Sequence, residues 1–185
     1  MGVMSLKWRI LKTSWLVSLR SKKRLISFVI IYGILITWMS ITLEKWRWES
    51  IEFIMEAGFV LLAGSIVAIL YGFILSYFRQ IEVATLKCLG WDNNDIRTFI
   101  IGEIIFVTLL GFLGILEISF HFVGVLFYFL GSSIASMPIV QFVIFPVNVL
   151  ILSFATIMLA QVPGILLATW KILTVSPMIA LRKAK

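Results

Sequence analysis

The chain is poor in cysteine, histidine, proline and charge. Its 185 residues include one cysteine, one histidine and four prolines, and 14% of them are charged. The single cysteine, Cys88, excludes an intrachain disulfide, and no second cysteine or nearby histidine completes a metal site with it. In soluble domains, about a quarter of the residues are charged. The low charge therefore argues against a soluble protein.

Long apolar runs make up most of the chain, which is 61% hydrophobic with a mean hydropathy of +1.08. A bilayer core of about 30 Å needs roughly 20 apolar residues in a helix. Four stretches qualify: residues 25–43, 57–78, 99–121 and 138–160. The sequence therefore predicts an all-α integral membrane protein with four transmembrane helices in one domain. The third run stays apolar to about residue 130, so we expect a short outer helix or a bend near Gly124.

The basic residues set the orientation. Fourteen of the 16 lysines and arginines lie in the N-terminal segment, between the second and third spans, or in the tail. The other two, Lys45 and Arg47, lie in a loop that also holds glutamates. The positive-inside rule then predicts that both termini and the central loop are cytoplasmic. We expect the membrane to be the plasma membrane. The net charge of +7 reflects this topology and anionic lipid headgroups, and nucleic acid is not an expected partner.

The central loop, residues 79–98, is the most informative segment, and we call it the elbow. Its pattern predicts a helix over residues 79–89, a left-handed stop at Gly90 and a new helix capped by Asp92. Residues 5–20 predict an amphipathic surface helix with a stripe of Trp8, Leu11, Trp15 and Leu19. Pro163 and Gly164 predict a break after the fourth span, with a cytoplasmic helix in residues 164–185.

Small residues recur in two spans. Gly64, Ala68, Gly72 and Ser76 are spaced four apart in the second span, and Gly111 and Gly114 lie in the third. Such a face lets another helix approach closely. The pattern predicts either a dimer contact between two copies or packing against the chain's own first or fourth span.

Two glutamates lie inside the third apolar run. An ionised carboxylate in the bilayer costs about 2.5–3.5 kcal/mol, so each needs a partner or access to water. We expect Glu103 to reach the inner surface, and Glu117 to contact His121 at the outer interface. A proton-coupled carrier using these three groups is an alternative, but the chain lacks the broken-helix midplane site of such carriers.

Two motifs together resemble a known family. The first is the run Arg79-x-x-Glu82-x-Ala84-x-Leu86-Lys87-x-Leu89-Gly90, followed by Ile96, Glu103, Gly111 and Gly114. It resembles the C-terminal membrane domain of FtsX-like (MacB-type) ABC transporter permeases. The second, Ser176-Pro177 followed by Ala180-Leu181-Arg182, is similar to the closing motif of that family. Most of these permeases carry a large extracytoplasmic domain between the first two spans, whereas residues 44–56 connect them here.

The resemblance implies a permease subunit that is not itself an enzyme. A separate ATPase subunit would bind ATP-Mg and drive export or mechanical work, and this chain, which has no phosphate-binding loop, would bind no cofactor. The docking residues it implies are Arg79, Glu82, Ala84, Leu86, Lys87, Leu89, Gly90, Trp91, Ser176, Pro177, Leu181 and Arg182.

The implied partners are a cytoplasmic ABC ATPase, a second copy or a paralogous permease, and membrane lipids. Lipids, peptides and amphiphilic drugs are all compatible substrates. The alternative is a membrane scaffold or assembly subunit of the same fold that does not couple to ATP.

Overall fold

The computed structural model describes residues 2–45, 52–130 and 147–174, and within these ranges it contains helices and no strand. The helices are α1 (Gly2–Arg20), α2 (Lys22–Lys45), α3 (Glu52–Phe78), α4 (Gln80–Cys88), α5 (Asn93–Leu130), α6 (Val147–Ala160) and α7 (Val162–Thr174). Within the described ranges, four segments are long and apolar enough to cross a membrane: Lys22–Lys45, Ile54–Phe78, Asn93–Phe129 and Val147–Thr174. The predicted all-α membrane fold is confirmed.

One predicted interruption is absent from the described residues and the other is present. Helix α5 continues from Asn93 through Gly124 to Leu130, so in that range no separate outer helix follows the third span. The predicted break before Pro163 is present, because α6 ends at Ala160 and α7 begins at Val162. The proline lies in the first turn of α7, where a helix needs no internal N–H donor, so it is compatible with the helix. Of the predicted cytoplasmic helix, residues 175–185 lie outside the described residues.

The chain forms two compact units, and several helices contribute to both. The first unit comprises Met1–Ser27, Ser65–Val107 and Gln161–Lys185, and it contains the elbow. The second comprises Phe28–Gly64 and Thr108–Ala160. The two units are described separately below.

In the first unit, α1 packs against α5 through two residues of the predicted stripe, Leu11 and Trp15, and through Ser14, which the stripe did not include. Ile10, Ser14 and Ser18 are buried, and the Ser14 hydroxyl donates to the Phe99 carbonyl at 2.7 Å. From the predicted stripe, Trp15 stacks on a phenylalanine of α5, whereas Trp8 is exposed. Serine suits this contact because its small side chain lets α1 and α5 approach closely. The Ser14 hydroxyl also has a hydrogen-bond acceptor there.

The small residues of α3 pack against the chain's own α7. A Cβ atom on Gly72 would lie 2.7 Å from the Gly164 carbonyl oxygen, and one on Gly164 would clash with Ala68. The Ser76 hydroxyl lies 3.3 Å from the Ala168 carbonyl oxygen. Of the two predicted uses of this face, packing within the chain is the correct one, and the dimer contact is wrong for these residues.

Helix pairs of the second unit also meet through small residues. A Cβ atom on Gly64 would lie 3.4 Å from the Ala160 methyl group. One on Gly111 would lie 3.2 Å from the Gly33 amide nitrogen, so α2 and α5 are close there. Gly114 differs, because among the described residues no other helix places an atom within 4 Å of its added Cβ. Of the predicted small-residue positions, Gly114 is left open.

Candidate functional site: a buried ion-pair cluster at the base of the elbow

Glu103 is the centre of a buried ion-pair cluster in the first unit. Its side chain is fully buried on α5, and it accepts two hydrogen bonds from Arg79, the residue between α3 and α4. The Nε–Oε2 distance is 3.1 Å and the Nη2–Oε1 distance is 2.9 Å. This fork-to-fork arrangement is the strong, directional form of the arginine–carboxylate pair. The first residue of the elbow is therefore joined to the third apolar span.

A second arginine binds the same carboxylate. Arg24, in the first turn of α2, places Nη2 3.2 Å from Glu103 Oε1 and donates to the Ser21 hydroxyl at 2.9 Å. Its guanidinium also lies 5.5 Å from the centre of the Phe78 ring, within the range of a cation–π contact. Sequence reasoning missed Arg24 as a site residue, because a basic residue before a span is explained by topology alone. The feature that could have pointed to Arg24 is Glu103, an acidic residue inside an apolar run that needs a basic partner.

Glu82 completes the cluster from the side of the elbow. Its carboxylate accepts from Arg79 Nη1, as the i,i+3 spacing predicted, and its side chain is 48% exposed. Two arginines and two glutamates leave the cluster without formal net charge. Burial opposes the charged form of Arg79, but the hydrogen bonds and charge of Glu103, followed by those of Glu82, outweigh it and raise the pKa of Arg79. The guanidinium is therefore charged throughout the physiological range.

The elbow ends in a tight glycine turn. Gly90 has a φ of 89°, so the predicted left-handed stop is confirmed. Its amide donates to the Lys87 carbonyl, and the Trp91 amide donates to the Leu86 carbonyl, both at 3.1 Å. These two bonds form a Schellman motif, which satisfies the last carbonyls of α4. Asp92 then precedes α5 and accepts from the first amide of that helix.

The predicted docking residues separate into a buried base and an exposed tip. Arg79 and Ala84 are buried within the chain, so their predicted contact with a partner is wrong. Leu89 is 72% exposed, and Glu82 and Gly90 are also exposed. The half-buried members of the set are Leu86, Lys87 and Trp91, and Ser176, Pro177, Leu181 and Arg182 lie outside the described residues.

Two of the half-buried residues have partners inside the first unit. Lys87 Nζ donates to the Leu173 carbonyl of α7 at 3.1 Å. The Trp91 ring meets the Phe99 ring edge-on, with 6.4 Å between the centroids. Trp91 was predicted to be exposed beside the glycine turn, but it is half-buried because its ring packs against Phe99 of α5. The elbow is tied to α5 and α7.

The other predicted intramembrane acid lies in the second unit and in a different environment. Glu117 and His121 form the predicted i,i+4 contact, with Nδ1 3.4 Å from Oε1 and side chains 72% and 75% exposed. Glu103, by contrast, is saturated by two arginines. Among the described residues, no group of three or more His, Cys, Asp and Glu side chains is placed to hold a metal ion.

No protein-family model, curated protein or solved structure matches this chain. Its function is therefore inferred from the residues and the geometry above.

Proposed function

We propose that this chain is a permease subunit of an FtsX/MacB-type ABC transporter. It couples ATP hydrolysis by a separate cytoplasmic ATPase to export or mechanical work across the plasma membrane. The chain itself hydrolyses no ATP, and the ATPase binds the ATP-Mg. The observation that carries the proposal is the elbow, whose base is locked to α5 by the buried Arg79–Glu103 pair while its tip stays exposed.

The exposed tip has the composition of a docking surface. Leu89 and Ile81 are both large, apolar and exposed, and they lie outside the segments that can span a membrane. Glu82 follows Ile81 in the chain, and its side chain is 48% exposed. Anchors at protein interfaces are apolar or aromatic groups surrounded by polar ones. The proposal assigns the docking contact to this tip and assigns Arg79 and Ala84 to its support.

The base of the elbow supplies the mechanical link. A force on α4 acts at one end through the paired guanidinium of Arg79 and at the other through Lys87, which bonds to α7. Packed elements joined in this way move as rigid bodies rather than bending. Closing of the ATPase subunits would then displace α4 together with the spans it is tied to.

Cys88 offers a direct test, because it is the single cysteine of the chain and is exposed on α4. The tagged chain is purified from native membranes in mild detergent, and a co-purifying ATPase is identified by its nucleotide-binding motif. The two are reconstituted, and the rate of maleimide labelling at Cys88 is measured with and without the ATPase. We expect the ATPase to protect the thiol, because the docked tip excludes the reagent.

A matched control places a cysteine on another exposed surface of the first unit. In the Cys88→Ser background, Thr13→Cys puts a thiol on an exposed position of α1. Its labelling rate should be the same with and without the ATPase. Equal labelling of Cys88 in both states, with no ATPase retained on the chain, would instead favour the scaffold alternative.

A further inference from the structure

The second unit contains an open apolar groove between α2 and α5, with a volume of about 520 Å³. Ile34, Trp38 and Ile41 form one wall, and Ile115 and Ile118 form the other. Among the described residues, no charged side chain lines the groove. The Thr37 hydroxyl donates to the Gly33 carbonyl of its own helix at 2.9 Å. The groove therefore offers a mainly apolar surface.

Glycines create this groove and limit what fits in it. At Gly33 and Gly111 the two helices are already in contact, so the close approach that these residues permit is used within the chain. Gly114, one turn further on, has nothing near its missing side chain, and the groove opens there. Helix association in membranes relies on a stripe of small residues. One open glycine favours a narrow occupant, such as an acyl chain, over the helix of a second copy.

A polar pair adjoins the groove at Ile118. His121 Nδ1 lies 3.0 Å from the Glu117 carbonyl oxygen and also faces the Glu117 carboxylate. Both are acceptors, so Nδ1 carries the ring proton in neutral histidine and donates towards Glu117. The His121 ring thus helps to hold the Glu117 carboxylate, which presents its negative charge and acceptor oxygens on an exposed helix face. The charge asymmetry of the sequence predicts that Glu117 lies at the outer interface, where headgroups are found.

We propose that the groove holds an acyl chain of a phosphatidylethanolamine, and that the Glu117 carboxylate, positioned by His121, binds its ammonium headgroup. A primary ammonium is cationic and has three N–H donors, which suit the carboxylate oxygens. A choline headgroup has the charge but no donor, and a glycerol headgroup leaves the lipid anionic and is repelled by Glu117. The acyl chain moves from the apolar bilayer into an apolar groove, so this transfer adds little selectivity. The groove therefore positions the lipid, and the headgroup contact determines which lipid is bound. This inference goes beyond the proposed function, since it requires no ATP coupling.

The test uses the full chain in nanodiscs of phosphatidylethanolamine, phosphatidylcholine and phosphatidylglycerol in equal parts. One lipid at a time carries a diazirine on its acyl chain, and labelled peptides are mapped by mass spectrometry. We expect phosphatidylethanolamine to label the groove residues of α2 and α5 about fivefold more than phosphatidylcholine does. That ratio is the upper end of what an exposed ion pair contributes. Equal labelling by the two lipids, or crosslinks between two copies of the chain at the groove, would overturn the proposal.

Two variants separate the groove from the headgroup site. Gly114→Leu fills the groove and should abolish labelling there, whereas Gly58→Leu, at a helical glycine outside the groove, should not. Glu117→Gln should keep the groove labelled but bring phosphatidylethanolamine and phosphatidylcholine close to parity. Undiminished labelling of Gly114→Leu, or an unchanged lipid preference in Glu117→Gln, contradicts the assignment. If Gly114→Leu fails to assemble, Glu117→Gln decides the question alone.

Discussion

A double-mutant cycle on Arg79 and Glu103 tests the central feature of the first unit. The single variants are Arg79→Gln and Glu103→Gln, and the double variant carries both. Each single variant leaves one buried charge without its main partner. The double variant removes both charges of the pair. Glutamine keeps hydrogen-bonding capacity and a similar size, so the cycle reports on charge pairing rather than on a cavity.

The structure sets the expected magnitudes. Breaking a buried ion pair by removing one partner typically costs about 3–5 kcal/mol. Here the residual contacts reduce the loss, since Glu103 keeps Arg24 at 3.2 Å and Arg79 keeps Glu82. We therefore expect each single variant to lower the free energy of unfolding by about 3 kcal/mol. The double variant should cost less than the sum of the two by about 1–3 kcal/mol.

The assay is unfolding by SDS in mixed micelles, followed by tryptophan fluorescence and circular dichroism. The exposed pair Lys45–Glu56, with 3.0 Å between Nζ and Oε1, provides the matched control. Its side chains are 47% and 37% exposed, so Lys45→Gln and Glu56→Gln should be additive to within about 0.5 kcal/mol. Additive effects at Arg79 and Glu103 as well would refute the claim that this pair is coupled.

The pH dependence has a definite sign. The folded chain raises the pKa of Arg79, so the stability that this group contributes is present below the unfolded pKa and is lost only as the pH rises through the folded one. Both lie above the neutral range. The coupling energy of the cycle should therefore not fall between about pH 6 and 9 on account of Arg79.

Three further predictions concern the elbow and the helix contacts. Gly90→Val forces a left-handed φ on a branched residue, which costs about 1–2 kcal/mol, and it should lower ATPase binding while membrane insertion is retained. Gly72→Leu places a side chain against the α7 backbone and should reduce the yield of folded protein, measured as the monodisperse fraction after size exclusion. Glu82→Ala together with Trp91→Ala should lower ATPase stimulation in the reconstituted complex, with the tryptophan change contributing more.

Each of these predictions has its own control. Gly90→Asn tolerates a positive φ and should bind the ATPase better than Gly90→Val, and equal binding by the two would exclude backbone strain as the cause. Gly58→Leu should give a normal yield, because nothing lies near that position. Since Trp91 contacts Phe99, its variant needs a stability measurement beside the ATPase assay. Stimulation equal to that of the parent chain would make residues 79–98 a passive loop.

The elbow shows how far local patterns reach. A glycine after a polar helix predicts a left-handed turn because few other residues adopt a positive φ, and Gly90 has it. The spacing of Arg79 and Glu82 likewise predicted their contact. The same local reasoning placed Arg79 at a partner surface, and this was wrong. A guanidinium outside the apolar runs looks solvated until a buried carboxylate from a distant helix is brought beside it.

Composition, run length and charge asymmetry determined the class of this protein by themselves, because the bilayer imposes a length and an apolar surface on any helix that crosses it. They also determined that the small residues of α3 mark a close helix contact. Only the tertiary structure decided which helix fills it, since a small-residue face is complementary to many partners, and α7 rather than a second copy packs there. Tertiary structure also decided the role of Glu103, because a buried charge is stabilised only by the opposite charges that the fold brings to it. Here these are Arg24 and Arg79, which precede Glu103 by 79 and 24 residues in the chain.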